Sequence, residues 1–147
     1  MTTEVQADGR NLPPLPTPFE WDQGFWDAAK AHKLVVQRCS DCKKVRHFPR
    51  LMCPDCRSME FEWVETIGRG RIYAWSTLYK AFHPGFTDLP MTVLIVALDD
   101  YPQVHLVGRL MNENVTEADL AVDKPVEVVF NDVTQEITLP EFRLVEA

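Results

Sequence analysis

Four cysteines in two pairs, Cys39-Ser-Asp-Cys42 and Cys53-Pro-Asp-Cys56 with ten residues between them, restrict this chain more than any other feature. A CxxC turn aims two sulfurs at one point, and two such turns supply the four thiolates that tetrahedral zinc prefers. The spacing predicts a structural zinc site on Cys39, Cys42, Cys53 and Cys56. Two disulfides fit less well, because small disulfide scaffolds are usually denser in cysteine. A thioredoxin-like redox pair would be one CxxC opening a helix, with no second pair nearby. Iron also accepts four thiolates, so the ligand set alone admits zinc or iron. With all four positions filled by protein, no water can bind, and the metal is read as structural rather than catalytic.

A chain of 147 residues, 46% hydrophobic, suffices for one ordinary domain or for a compact domain with a small metal-stapled module. No apolar run approaches the roughly 20 residues of a membrane span, and the first residues carry neither a basic start nor an apolar segment. A soluble, cytoplasmic protein is expected. The net charge of −7 is unevenly distributed. Between Lys30 and Arg57 lie eight Lys and Arg against Asp41 and Asp55, whereas from Asp99 onward eleven acidic residues face three basic ones. The basic stretch either stabilises the formal charge of a zinc with four thiolates or presents a surface for phosphates, and the first explanation is preferred.

Residues 1–16, with Pro13, Pro14 and Pro16, read as a flexible arm. Thr17-Pro18-Phe19-Glu20 has the form of a helix start with a capping box, so an N-terminal helix is expected over 17–33, with Phe19, Phe25, Trp26 and Ala29 on one face and Gly24 weakening its middle. Short strands at Leu34–Arg38 and Val45–Phe48 would present the cysteine turns and make 34–60 a rubredoxin-like zinc ribbon. Five further strands, Phe61–Glu65, Arg71–Leu78, Met91–Leu98, Val104–Leu110 and Val126–Phe130, predict a small barrel over 61–147. Asp99-Asp100-Tyr101-Pro102 reads as a hairpin connection, 117–120 as a short helix and Ile137–Val145 as a possible edge strand. The predicted fold is mainly β: an N-terminal helix, a zinc ribbon, then a five-stranded OB-fold barrel, with an SH3-like barrel or an open antiparallel sheet also compatible.

The order of these elements, together with Phe25-Trp26, Leu34-Val35-Val36-Gln37-Arg38-Cys39, Cys53-Pro54-Asp55-Cys56, Gly70-Arg71-Ile72-Tyr73-Ala74-Trp75 and Pro125-Val126-Glu127-Val128-Val129-Phe130, resembles the DUF35 family. The resemblance covers about Phe25 to Phe130. Lys43, Arg57 and Asp123 stand where the family often has glycine, which puts local turn geometry in question but leaves the ligands intact. The resemblance implies an accessory subunit of a thiolase-superfamily enzyme that handles acyl-CoA thioesters, most similar to the partner of lipid-transfer-protein-like aldolases of steroid side-chain degradation. It further implies a thiolase-like catalytic partner, acyl-CoA at or near the interface, and a heterotetramer. An acyltransferase subunit is the nearest alternative.

Independent catalysis has little support in the residues. There is no Gly-x-Ser-x-Gly elbow, Walker loop or GxGxxG signature. His47 is read as a surface residue in preference to a spare metal ligand, and His105 as part of a strand. His83, in the loop Ala81-Phe82-His83-Pro84-Gly85-Phe86, is a candidate for contact with the acyl-CoA passage, with a purely structural role for the loop preferred. Trp21, Phe25, Trp26, Phe82, His83 and Phe86 are therefore the candidate partner or passage residues. OB folds and zinc ribbons also hold single-stranded nucleic acid, but few basic residues lie beyond the ribbon and the last third is acidic, so nucleic acid is disfavoured.

Overall fold

A computed structural model describes residues 12–145. The first eleven residues of the expected arm lie outside it. The remainder of that arm is packed rather than free: Leu12 is buried, and the Leu12–Pro13 backbone passes so close to Gly85 that a side chain there would collide with it.

Helix α1 spans Gln23–Lys30, six residues shorter at its start than the sequence suggests. Asp22, and not the expected Thr17 with Glu20, stands at the N-cap, and its side chain makes no cap hydrogen bond to the helix. The Asp22 carboxylate accepts the Phe19 N–H at 2.6 Å, while the Phe19 carbonyl accepts the N–H groups of Asp22 and Gln23. A separate turn therefore precedes the helix, and Phe19 stays 55% exposed, stacked on Trp21 instead of joining the buried face. Gly24 has a positive role here, since any side chain would overlap the Trp63 indole. At the other end His32 takes φ 59°, its N–H donates to Ala29 O and the Lys33 N–H donates to Ala28 O, the double closure of a Schellman motif.

Strands β1 (Val35–Cys39), β2 (Val45–Arg46) and β3 (Phe61–Glu65) form one antiparallel sheet in the order β2-β1-β3, with Val36 opposite Val64 and Gln37 opposite Trp63. Here the expected strand order needs correction: Phe61–Glu65 belongs to the ribbon and not to the barrel. The barrel uses β4 (Arg69–Leu78), β5 (Met91–Leu98), β6 (His105–Arg109), β7 (Pro125–Asp132) and β8 (Thr138–Leu144), in the order β6-β5-β4-β7-β8. Its fifth strand is the C-terminal segment, paired with β7 over seven positions despite Pro140. The Met111 N–H donates to Phe142 O, and a parallel bridge joins Leu110 to Phe142, which brings the β6 and β8 ends together and nearly closes the barrel. A single 3-10 turn, Glu117–Asp119, stands where a short helix is expected.

The register of β4 shifts between Ile72 and Ala74, and glycines admit close neighbours around the barrel. Gly68 has φ 72°, and a β-carbon there would meet Val128 Cγ1 at 2.7 Å. Gly108 leaves room for the Phe142 ring, whose Cδ2 would be 2.6 Å from a β-carbon at that position. One continuous core includes Phe25 of α1, Leu34, Val35 and Val36 around the start of β1, and Ile72, Leu94, Val96, Val126 and Phe142 of the barrel. The ribbon strand is thus rooted in the barrel core.

Because the Phe142 ring is fully buried in the core, Phe142→Ala is expected to cost about 3–5 kcal/mol. The shift of the urea unfolding midpoint at constant m-value measures this.

Candidate metal centre and interdomain cavity

The four cysteine sulfurs lie within 4.8 Å of one another and form the one potential metal-binding cluster among the described residues. Cys39 Sγ is 3.5 Å from Cys56 Sγ, and Cys42 Sγ is 3.6 Å from Cys53 Sγ. A zinc–sulfur bond of about 2.3 Å in a tetrahedron requires sulfurs about 3.8 Å apart, whereas a disulfide requires about 2.05 Å. The geometry fits four thiolates around one ion.

The two turns repeat each other. Cys39 N–H donates to Lys44 O and Lys43 N–H to Cys39 O; fourteen residues on, Cys53 N–H donates to Ser58 O and Arg57 N–H to Cys53 O. Lys43 and Arg57 both have φ 64°, and Asp123 has φ 69°. All three non-glycine departures from the family pattern therefore sit in the left-handed region that favours glycine, and the turns form regardless. The Cys42 backbone N–H lowers the Cys39 thiol to about 6, and the Cys56 N–H lowers that of Cys53. At Cys42 and Cys56 the N–H groups of Lys44 and Ser58 are outweighed by burial and the neighbouring sulfurs, which raise both thiols; without an ion the first cysteine of each turn favours thiolate and the second does not. A hydrogen bond from Ser58 to Asp41 ties one turn to the other.

Three of the eight basic residues of this stretch are paired locally. Arg38 Nε is 2.8 Å and Lys43 Nζ 3.6 Å from Glu62 Oε1, and Lys44 Nζ is 3.1 Å from Asp55. The Arg38 hydrogen bond leads in holding the Glu62 carboxyl below its ordinary range. Behind the metal, fully buried Gln37 accepts from Arg46 Nε and the Arg50 N–H and donates to the Arg50 carbonyl, which fixes the chain between the cysteine pairs.

A cavity of about 850 Å³ lies where α1, the segment 47–49, the β4–β5 loop and strands β6, β7 and β8 meet. Four of the candidate residues line it: Phe25, Trp26, Phe82 and Phe86. Trp21 and His83 do not. Trp21 is stacked on Phe19, and His83 turns into its own loop, where Nδ1 accepts the Gly85 N–H at 3.0 Å and the ring packs against Phe86. His47, expected at the surface, is instead half-buried beside Phe25 and Phe48, with Nδ1 shielded and without a hydrogen-bond partner among the described residues. Burial pushes its pKa down to about 4. Glu141, 7% exposed, accepts the Arg109 N–H, and burial raises its carboxyl. Neither residue has a local sequence signal; only the meeting of ribbon, helix and barrel makes them neighbours of one space.

Residues 26–62 match the ChsH2 rubredoxin-like zinc ribbon domain, and residues 63–131 match the ChsH2 C-terminal OB-fold domain. The chain belongs to the ChsH2-type DUF35 family. A chain in the solved structure of an Ltp2–ChsH2(DUF35) aldolase superposes with a TM-score of 0.79 at 32% identity, covering 88% of this chain and 98% of that one. A probable enoyl-CoA hydratase alpha subunit from Thermomonospora curvata is 33% identical over 97% of this chain and 43% of its own length. The 3-oxo-4,17-pregnadiene-20-carboxyl-CoA hydratase alpha subunit of Mycobacterium tuberculosis is 30% identical over 74% of this chain and 33% of its own length. The chain spans less than half the length of these two curated relatives. The ChsH2 match names zinc, and the four-thiolate geometry is consistent with it.

Two measurements probe this region. Relief of the left-handed strain predicts that Arg57→Gly raises the stability of the zinc-loaded chain by about 0.5–1 kcal/mol at unchanged zinc content, read by denaturant titration with metal analysis. For His47 the folded pKa of about 4 lies below the ordinary 6.5, so the unfolded chain binds the proton first. The stabilising effect of a neutral His47 is complete above about pH 6.5 and is lost as pH falls towards 4. Between those values wild type should lose on the order of 2–3 kcal/mol more than His47→Phe, as paired urea titrations across the range will show.

Proposed function

We propose that this chain is an accessory subunit that docks on and stabilises a thiolase-like catalytic subunit acting on acyl-CoA thioesters. The observation that carries the reading is the likeness at 32% identity, over nearly the whole of the matched chain, to a protein solved as part of an Ltp2–ChsH2(DUF35) aldolase. In the corresponding reaction the partner breaks the Cα–Cβ bond of a β-hydroxyacyl-CoA from a steroid side chain. The hydroxyl proton goes to a base, the hydroxyl carbon becomes a ketone, and the α-carbon of the shorter acyl-CoA takes up a proton. A heterotetramer around a partner dimer follows from the symmetry usual in oligomers.

The residues of the chain support a structural contribution. The cysteines are committed to metal geometry and His83 is engaged by its own loop. Among the described residues no helix is long and apolar enough to cross a membrane, and thiols held as metal ligands suit the reducing cytoplasm. The nucleic-acid alternative is weakened by charge: the cavity carries Asp22, Asp88, Asp132 and Glu141 against Arg109. A second reading, a hydratase partner in place of an aldolase, draws on the names of the two curated relatives.

Co-expression with the thiolase-like protein encoded nearest to it, purification through a tag on this chain and an assay for ketone release from a β-hydroxyacyl-CoA test the proposal. A stoichiometric complex, active only with both subunits, is expected. Recovery of the chain without a thiolase-like partner would reject it, and hydration of an enoyl-CoA by a complex would favour the second reading. His83→Ala is expected to leave the turnover of the complex within twofold of wild type; a larger loss would assign that imidazole a role in the passage.

A further inference from the structure

Exposed apolar side chains are ordinary where they stand singly, but on the zinc ribbon four of them gather. Phe48, Leu51, Met52 and Met59 are each between 46% and 66% exposed. The first three fall within five consecutive residues, and the bond from the Cys53 N–H to Ser58 O lays the chain at Met52 alongside that at Met59. The metal site makes no use of them, since backbone bonds close its turns and the cysteines supply its sulfurs. Arg50 and Arg57 stand among them, both exposed and neither in an ion pair among the described residues, whereas Arg38, Lys43 and Lys44 are paired.

The patch is also held still. Buried Gln37 accepts the Arg50 N–H and donates to the Arg50 carbonyl, and the chain at Ser58 is tied to the second cysteine turn. A surface fixed in advance loses little conformational freedom when a partner covers it. Its composition is that of the centre of a protein interface, where aromatic residues, Met and Arg are enriched and Lys, Asp and Glu depleted. The outer barrel face offers less: Tyr73 already packs on the His105 ring at 4.4 Å, and Arg71 and Arg109 are 3.6 and 3.5 Å from Asp99 and Asp88.

We propose that this ribbon face is the surface on which the thiolase-like subunit docks, and that the partner meets it with an apolar patch edged by carboxylates that pair with Arg50 and Arg57. That the partner is thiolase-like rests on the accessory-subunit reading; which face it covers, and with what chemistry, goes beyond that reading.

The full-length zinc-loaded chain is co-expressed with the thiolase-like protein encoded nearest to it, and dissociation of the purified complex on dilution is followed by sedimentation velocity. Leu51→Asp and Met59→Asp alter exposed positions, so thermal midpoint and zinc content should stay at wild-type values while affinity falls at least tenfold. Arg57→Gly separates docking from folding: the substitution expected to raise the stability of the chain should weaken the complex several-fold, and added salt should weaken the wild-type complex more than this one. Ile67→Asp and Tyr73→Asp, exposed outside the ribbon, should leave affinity within twofold of wild type. A wild-type complex indifferent to the ribbon substitutions overturns the face and leaves the accessory-subunit reading standing, and sensitivity to Tyr73→Asp in their place moves docking to the barrel. Failure of the wild-type chain to form any complex overturns both. Self-association of the free chain that Leu51→Asp and Met59→Asp abolish gives the face to a second copy, and salt-sensitive binding of oligothymidylate that Arg57→Gly abolishes gives it to nucleic acid; either overturns the proposal.

Discussion

The structure depends on β1 serving two cores at once. Leu34, Val35 and Val36 are buried with the barrel residues and Phe25, while three positions later Cys39 enters the metal cluster. Between them Gln37, fully buried, satisfies its amide on Arg46 and Arg50 and so couples the strand to the loop that leads to the second cysteine pair. A zinc ribbon has too little apolar surface to fold by itself and relies on its ion. Here the same strand borrows the barrel's core, so ribbon and barrel orient each other. The space between them is a consequence of that arrangement.

Helix α1 completes it. Its C-terminus places His32 in a left-handed conformation, from which the imidazole reaches Asp132 of β7 at 2.9 Å and lies flat against Phe130. At its N-terminus the absence of a side chain on Gly24 admits Trp63 of β3. One short helix is therefore held to the ribbon at one end and to the barrel at the other. Its buried Phe25 contacts His47, which explains how an imidazole five residues past a metal ligand comes to face the cavity rather than the metal.

Charge is sorted by the fold. Three of the basic residues gathered around the ribbon in sequence, Arg38, Lys43 and Lys44, meet Glu62 and Asp55. Acidic residues scattered through the chain, from Asp22 to Glu141, converge on the cavity. Acidic groups at the cavity disfavour a nucleic acid there, even though ribbon and barrel each resemble folds that bind one.

The metal site was legible in the sequence because CxxC geometry is local: each turn needs only a few consecutive residues, and no other cysteine competes. Strands were legible for the same reason, since alternation is a property of short segments. What each strand pairs with was not, because Phe61–Glu65 finds β1 across more than twenty residues, and the C-terminal strand closes the barrel through a bridge to Leu110. His83 had a conspicuous loop yet bonds only that loop, whereas His47 and Glu141 had no distinguishing context. The sequence by itself determined the four thiolates, the ribbon-then-barrel order and the family. Only the tertiary structure decided which aromatics share a cavity and which charges line it, because those neighbours are set by packing between elements distant along the chain.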